Sequence, residues 1–248
     1  MGRFRMLTDE LIDEYRPALR GLEVVDLRIG LGYTAVKLSN GDAGVAATLR
    51  YNLPRGCSLL EDAGQYMGTE ADKALQLIKE PNALLSGIGL ATLNAIVNRD
   101  QESNAPFLGE ALDIGPDDEV AMVGYFEPLI EEVRKRAGGL KIFEREMTGE
   151  DYVYPDWSVD RLLPECDVSI ISSTTLINGT IDHLLELTTG RVGLLGPSTP
   201  MSPVLSKYGI SHLFGSVAVD PDRVMEIVSQ AGGTRNFGDS VRKVNLKI

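Results

Sequence analysis

The chain has few of the side chains that most often bind metals or act as nucleophiles. Its 248 residues include only two cysteines, two histidines and one tryptophan. Cys57 and Cys166 lie far apart in sequence, so we expect no disulfide framework and two reduced thiols. No Cys and His spacing resembles a zinc site, and no Gly-x-Ser-x-Gly sequence marks a hydrolase nucleophile. The cysteines and histidines therefore indicate no metal site.

Positive charge and long apolar runs are also scarce. Lys and Arg number 24 against 36 Asp and Glu, and the net charge of −12 argues against a nucleic-acid-binding face. No apolar run approaches the roughly 18 residues of a membrane span, so we expect no membrane partner. The first residues lack the uninterrupted apolar core of a signal peptide, and we therefore expect a cytoplasmic protein.

The first half of the chain predicts an α+β domain. Alternating segments at residues 23–29, 33–38 and 44–49 predict a three-strand meander. Asn40 and Gly41 favour a tight hairpin between the last two strands, because such a turn needs positive φ. After a long loop, residues 70–79 and 82–98 predict two helices. The second is apolar nearly all round, so we expect it to be buried.

The second half changes to a β–α–β rhythm, which is typical of a parallel sheet. Residues 99–116 are polar, which predicts a linker between the two domains. Strands are predicted at 119–123, 140–144, 168–171, 192–195 and 213–219. The tail, residues 241–248, alternates like an exposed edge strand, which leaves a homodimer open. We therefore predict an α/β protein with an α+β domain at residues 1–111 and a Rossmann-like doubly wound domain at residues 112–248.

Two hydroxyl-rich turns follow neighbouring strands of this second domain. In parallel sheets, ligands bind beyond the carboxyl ends of the strands, so we predict a small-molecule pocket there. The second turn is expected to lead into a helix N-terminus that attracts phosphate or carboxylate. The predicted ligand-binding residues in the two turns are Thr174, Thr175, Asn178, Gly196, Pro197, Ser198 and Thr199.

The turn after the first strand of the second domain reads VGYFEP. It has only Gly124 where a dinucleotide fold has three glycines, and Tyr125 and Phe126 are too bulky for close pyrophosphate approach. An NAD-type dehydrogenase is therefore disfavoured, and these three residues are predicted to contact another ligand. Glu127 is the carboxylate we single out as an acid–base group or metal ligand.

Glu144 and Glu146 end the second strand, where Rossmann-like proteins hold ribose hydroxyls. One of them would do this for S-adenosylmethionine or a nucleoside, and the alternative is a solvated strand end. His183 has helical spacing to apolar residues, which favours a partly buried structural imidazole over a base.

The first domain contributes two further candidate groups. Asn94 and Asn98 share one face of the apolar helix, and a buried amide needs hydrogen-bond partners. Those partners are either backbone groups of the meander or a ligand at the domain interface. Gly32 and Tyr33, in the turn between the first two strands, are predicted to close the pocket from this side.

Five segments together resemble the family labelled as heavy-metal chelation proteins. They are GLGYTAVKLSNGDAGVAATL, ATLNAIVN, VGYFEPLI, STTLINGTIDHLLEL and LLGPSTPMSPVL. The resemblance covers nearly the whole chain. It implies an N-terminal domain similar to the enolase N-terminal fold, a Rossmann-like C-terminal domain, and a pocket between them. It also implies handling of metal chelators, or condensation or hydrolysis of pterin-like or flavin-like precursors, and brings no catalytic residue set.

Three functions stay open. We prefer an enzyme acting on a small, polar, anionic metabolite in the interdomain cleft. The rival is a non-catalytic binding protein for a heavy metal or a metal–chelator complex. A methyltransferase that uses S-adenosylmethionine is the third. The expected partner is a small molecule, and a divalent metal or a nucleoside-type ligand is the cofactor class left open.

Overall fold

The computed structural model describes residues 6–146 and 148–248, and these form an α/β fold with two sheets. The first sheet is the antiparallel meander that the sequence predicts. Its strands are β1 (Val24–Ile29), β2 (Tyr33–Leu38) and β3 (Ala43–Ala47). Gly41 has a φ of +94° in the hairpin turn, as the Asn-Gly signal requires. Three helices accompany this sheet: α1 (Leu7–Tyr15), α2 (Ala71–Gln76) and α3 (Ala83–Val97).

Helix α3 is the apolar helix of the sequence, and it is buried on nearly all sides as predicted. Asn82 caps it, with its Oδ1 accepting a hydrogen bond from the Leu84 N–H at 2.9 Å. One face packs so closely on β3 that a Cβ added at Gly44 would lie 2.2 Å from the Ala91 carbonyl oxygen. The helix therefore lies against the meander backbone, and its Asn94 side chain also reaches the second domain, at the Ser198 carbonyl.

The second sheet has seven strands within the described residues, in the order β10-β9-β8-β7-β4-β5-β6. They are β4 (Glu119–Val123), β5 (Gly139–Glu144), β6 (Val153–Pro155), β7 (Val168–Ser172), β8 (Arg191–Leu195), β9 (Ile210–Ala218) and β10 (Val241–Lys247). All pairings are parallel except that of β9 with β10. The chain runs outward from β4 in one direction and then from β7 in the other. The order confirms the Rossmann-like doubly wound fold, and its switch point lies between β4 and β7.

The connecting helices are α4 (Leu108–Ala111), α5 (Glu127–Arg136), α6 (Val159–Leu162), α7 (Ile181–Leu187), α8 (Pro221–Ser229) and α9 (Thr234–Phe237). Three short elements were not predicted, and one of them is α9. Helix α4 lies inside the predicted linker, because Leu108 is buried in the cluster that contains Val120 of β4. Strand β6 lies in a predicted loop, and its three residues are too few to show a period.

The outer edge of β10 is covered at its C-terminal end. The linker lies along it: the Asn104 N–H donates to the Asn245 carbonyl at 3.0 Å, and the Asn104 Oδ1 accepts from the Lys247 N–H at 2.7 Å. The Ser103 Oγ accepts from the Asn245 N–H at 3.1 Å. The tail is therefore an edge strand as predicted, and the linker occupies its outward backbone groups at Asn245 and Lys247, so less of the edge is left for a second copy.

Among the described residues, no helix combines the length and the apolar character that crossing a membrane would require.

Candidate functional site

The second hydroxyl-rich turn lies in the seam between the two halves of the molecule. Ser198 and Thr199 are fully buried, and the Ser198 Oγ accepts a hydrogen bond from the Ala47 N–H at 2.8 Å. The Thr199 hydroxyl donates to the Phe214 carbonyl at 3.1 Å. The next helical element is a 3₁₀ helix at Pro203–Tyr208, capped by Ser202, so the predicted helix N-terminus does not follow this turn directly. Gly196 and Pro197 belong to the same turn, which the structure uses for domain docking.

Asn94 and Asn98 are the partners of that turn. The Asn94 Nδ2 donates to the carbonyls of Val45 at 2.9 Å and Ser198 at 3.0 Å. The Asn98 Nδ2 donates to the carbonyls of Thr199 at 2.9 Å and Ser216 at 3.0 Å, and its Oδ1 accepts from the Met201 N–H at 2.8 Å. Of these partners, only the Val45 carbonyl is one of the meander backbone groups that we expected, and the others are backbone groups of the second domain, which the sequence did not indicate.

Gly32 and Tyr33 lie away from the other candidates. The Tyr33 hydroxyl is 2.8 Å from the Thr234 Oγ1, and its ring centroid is 5.4 Å from that of Phe237. A Cβ added at Gly32 would lie 3.5 Å from the Gly232 carbonyl oxygen. The structure thus places this turn against α8 and α9.

A cavity of about 370 Å³ opens at the switch point, beyond the carboxyl ends of β4, β5 and β7. Residues from both domains line it. From the first domain come Leu49, Tyr51 and Asn52. From the second come Val123, Gly124, Phe143, Glu144, Arg145, Asp156, Val159, Ser172, Thr174, Thr175, Asn178, Thr180, His183 and Leu184. Five of the sequence-predicted residues therefore meet here: Gly124, Glu144, Thr174, Thr175 and Asn178.

Glu144 links the first two strand ends of the cavity. Its Oε2 accepts a hydrogen bond from the Tyr125 N–H at 3.1 Å, and its Oε1 accepts from the Arg145 N–H at 2.7 Å. Gly124, which precedes Tyr125, has a φ of +104°, and a Cβ there would lie 3.2 Å from the Ser172 Cβ. The turn needs glycine both for its backbone conformation and for its approach to β7.

Hydroxyl groups from the end of β7 form the opposite wall. The Ser172 Oγ and the Thr174 Oγ1 are 2.8 Å apart, so one hydrogen bond between them leaves one hydroxyl proton for a ligand. The Thr175 hydroxyl donates to the Ser172 carbonyl at 2.6 Å and holds the turn. The Asn178 Oδ1 accepts from the Thr180 hydroxyl at 2.8 Å. Ser172 and Thr174 are therefore the hydroxyls best placed to bind.

Arg145 is a cavity residue that the sequence did not suggest. Its NH1 donates to the Asn52 Oδ1 at 3.0 Å, and its Nε lies 3.4 Å from the Asp156 Oδ2. The guanidinium therefore joins the long loop of the first domain to the second. Its position directly after Glu144, at a strand end, is the feature of the sequence that could have indicated Arg145 as a cavity residue.

His183 and Asp160 form a pair at the cavity rim, with the Nε2 and Oδ1 atoms 2.6 Å apart. The side chains are 56% and 65% exposed, so the expected partly buried structural imidazole is wrong. His183 lies in the first turn of α7, whose apolar face is formed by its neighbours Ile181 and Leu184. Because Asp160 accepts from Nε2, the lone pair of the neutral imidazole is on Nδ1. Such an imidazole can accept a proton from a ligand.

Diethyl pyrocarbonate should modify His183 and spare His212 in the native protein. His212 is 7% exposed, and burial lowers the pKa of its imidazole, with the Lys247 charge adding to that effect. Peptide mass spectrometry after brief treatment at neutral pH measures both sites. Unfolding in urea should make the two histidines react alike. Equal modification in the native state would contradict the exposed position of His183.

Glu127 and its neighbours point away from the cavity. The Glu127 side chain is 74% exposed, and its Oε2 lies 3.7 Å from the Arg235 NH2. The Tyr125 and Phe126 side chains pack against the cluster beneath α5, so only the Tyr125 backbone reaches Glu144. Glu127 therefore lies outside the cavity, together with the predicted ligand-binding residues Tyr125 and Phe126.

A second cavity of about 710 Å³ continues the cleft towards α1. Asn52 and Asn178 line both cavities, so they lie at the boundary between the two. The wider part is lined by residues 78–83 before and at the start of α3 and by residues 176–179 before α7. The cleft therefore has room for a ligand that extends beyond the switch point.

A heavy metal, which the resemblance implies, does not fit the donor groups that the structure describes. No group of three or more His, Cys, Asp and Glu side chains in residues 6–146 and 148–248 is arranged to hold one. At the cavity, His183 is paired with Asp160 and Asp156 with Arg145, while Glu144 accepts two backbone N–H groups. Cys57 is exposed and Cys166 is buried, and neither lines the cavity.

Comparisons with known proteins identify the family. Residues 108–247 match the profile of DUF364 and residues 12–97 that of DUF4213, both described as "Putative heavy-metal chelation". An uncharacterised protein of Methanocaldococcus jannaschii is 28% identical over 238 residues, which are 91% of this chain and 90% of that protein.

Two solved structures of DUF364 proteins of unknown function share the fold. One, from Desulfitobacterium hafniense, is 26% identical with a TM-score of 0.78, covering 96% of this chain and 99% of that one. The other, from Pyrococcus horikoshii, is 21% identical with a TM-score of 0.84, covering 98% and 100%. The second supports the fold alone. The chain therefore belongs to the DUF364 family, described as "Putative heavy-metal chelation".

Proposed function

We propose that the protein binds a small organic chelator, or a precursor of one, in the switch-point cavity. Any heavy metal would then arrive already held by that molecule. The observation that carries this proposal is the cavity itself, where polar groups from three strand ends meet without a set of three metal donors among the described residues. An organic ligand with its own donors reconciles this geometry with the family description.

Charge refines the kind of ligand. The charged side chains along the described wall are the carboxylates of Glu144 and Asp156 and the guanidinium of Arg145, with His183 at the rim. The expectation of a purely anionic ligand rested on the turn at residues 196–200, which is buried in the domain seam. A lining of both signs complements a zwitterion, such as a chelator that combines carboxylates with a protonated amine.

Turnover is the second candidate, and the His183–Asp160 pair is the observation that favours it. An imidazole held by a carboxylate at 2.6 Å beside a ligand cavity can accept or return a proton. In this version, the protein condenses or hydrolyses a chelator-like, pterin-like or flavin-like compound, and His183 replaces Glu127 as the proton-transfer group. A variant that lacks the His183 imidazole should then bind the compound and fail to convert it.

Arg145→Gln should weaken binding of metal-free nitrilotriacetate by about tenfold or more. A hydrogen bond to a charged group contributes about 1.5–3 kcal/mol, and 1.4 kcal/mol corresponds to tenfold in affinity. Calorimetric titration of the metal-stripped protein measures the change. Nitrilotriacetate is a suitable probe because it has three carboxylates and a protonated amine at neutral pH.

Arg136→Gln is the matched control, since its side chain is 44% exposed against 48% for Arg145 and lies outside the cavity. Thermal unfolding of both variants verifies that the fold is kept. Equal affinity of Arg145→Gln and the wild type for nitrilotriacetate would contradict the proposal. Tight binding of free nickel without the chelator would favour a protein-held metal instead.

A further inference from the structure

The position of Glu144 points to the class of molecule that the cavity accepts. It ends β5, the strand next to β4, on the side of the switch point where doubly wound folds hold ribose hydroxyls with an acidic residue. Its carboxylate is oriented by two backbone N–H groups, at 3.1 Å and 2.7 Å. Each carboxylate oxygen keeps a further lone pair, so the group can still accept two hydroxyl protons from a ligand.

The turn that Glu144 holds excludes a pyrophosphate. Only Gly124 offers a bare backbone, and the next two residues are Tyr125 and Phe126, whose side chains pack beneath the turn. A dinucleotide needs further glycines at this point for close approach of its pyrophosphate. A nucleoside part without phosphates does not meet this obstacle.

Size and apolar surface agree with a nucleoside. The volume of about 370 Å³ is near the lower end of the usual range for ligand cavities, about 300–1,000 Å³. Val159 and Leu184 supply aliphatic surface for the faces of a base. Tyr51 lies at the rim with 75% of its surface exposed, where a stacking partner is accessible from solvent. Base stacking on an aromatic side chain contributes about 1–3 kcal/mol.

We infer that the switch-point cavity is a nucleoside site in which Glu144 binds the two ribose hydroxyls. This inference rests on one part of the proposed function, the binding of an organic ligand in this cavity, and it names the class of that ligand without requiring that it chelate a metal. The ribose lies over the turn at Gly124, next to Ser172 and Thr174. A substituent on the ribose 5′ carbon then extends along the cleft, past Asn52 and Asn178, into the wider cavity.

Calorimetric titration with adenosine, guanosine, cytidine and uridine tests the inference. At least one of the four should bind the wild-type protein at millimolar concentration or below. Its 2′-deoxy form should bind about tenfold more weakly or worse, because the carboxylate loses one hydroxyl partner. If none of the four binds, or if the 2′-deoxy form binds equally well, the inference is overturned.

Glu144→Gln should reduce nucleoside affinity by about tenfold or more. Glu146→Gln, two residues further along and outside the cavity, should leave it unchanged. If Glu144→Gln does not fold, the inference is still tested by comparing how tightly the wild-type protein binds a nucleoside and its 2′-deoxy form. Nitrilotriacetate binding without nucleoside binding would overturn this inference and leave the proposed function standing. Nucleoside binding without nitrilotriacetate binding would support the inference and overturn the chelator proposal.

Discussion

Replacing Gly44 with alanine is expected to destabilise the protein by about 4 kcal/mol or more, at the upper end of single substitutions. The added methyl group would lie 2.2 Å from both the Ala91 carbonyl oxygen and the Ala95 backbone nitrogen. These are backbone atoms of α3, so no side-chain rotation relieves the overlap. Either β3 or the whole helix must move, and α3 also carries the amides that hold the second domain.

Urea unfolding followed by circular dichroism measures this effect better than tryptophan fluorescence, because Trp157 is 79% exposed. Gly87→Ala is the matched control on the same helix. A Cβ there would meet the Ala47 carbonyl oxygen at 3.7 Å, an ordinary contact, and alanine in a helix interior gains up to about 1 kcal/mol over glycine. If Gly44→Ala and Gly87→Ala are equally stable, α3 does not pack on β3 as described.

Asn98→Ala should cost about 3–5 kcal/mol. Its side-chain amide satisfies three buried backbone groups, the carbonyls of Thr199 and Ser216 and the N–H of Met201. A buried polar group that loses its partner costs about 1–3 kcal/mol. Alanine leaves all three backbone groups without their hydrogen-bond partner, and it leaves a small cavity in the domain seam. The free energy of unfolding from urea titration measures the loss.

Asn98→Asp separates hydrogen bonding from packing. Aspartate has nearly the same shape and still accepts from the Met201 N–H, but it faces two carbonyl oxygens that need a donor. At neutral pH, Asn98→Asp should therefore be at least as unstable as Asn98→Ala. If both variants unfold within about 1 kcal/mol of the wild type, Asn98 does not join the domains.

The order of the elements could be predicted from the sequence because their signals are local. The alternation at β1, β2 and β3, the Asn-Gly hairpin and the apolar character of α3 each lie within one short segment. The apolar parallel strands of the second domain are likewise visible as short runs. Strand β6 and helices α4 and α9 were missed because their few residues acquire structure only from neighbours in the fold.

The site could be predicted only in part. Gly124, Glu144 and Thr174 follow strand ends, and the parallel sheet brings such positions together. The turn at residues 196–200 is as rich in hydroxyl groups as the turn after β7, yet α3 covers it. Which polar turn a neighbouring domain buries depends on docking, which no local pattern reveals. Asp160 and His183 are 23 residues apart and meet only because α6 and α7 share a wall of the cavity.

Thermal unfolding of the metal-stripped protein, with organic ligands and metals added separately, tests the central claim most directly. The panel contains nitrilotriacetate, the four nucleosides, and zinc and nickel salts. A ligand at about 100 times its dissociation constant adds about 2.7 kcal/mol to the free energy of unfolding, which raises the midpoint by several degrees. We expect such a shift with an organic ligand and none with either metal alone. A shift with the metals alone would contradict the account.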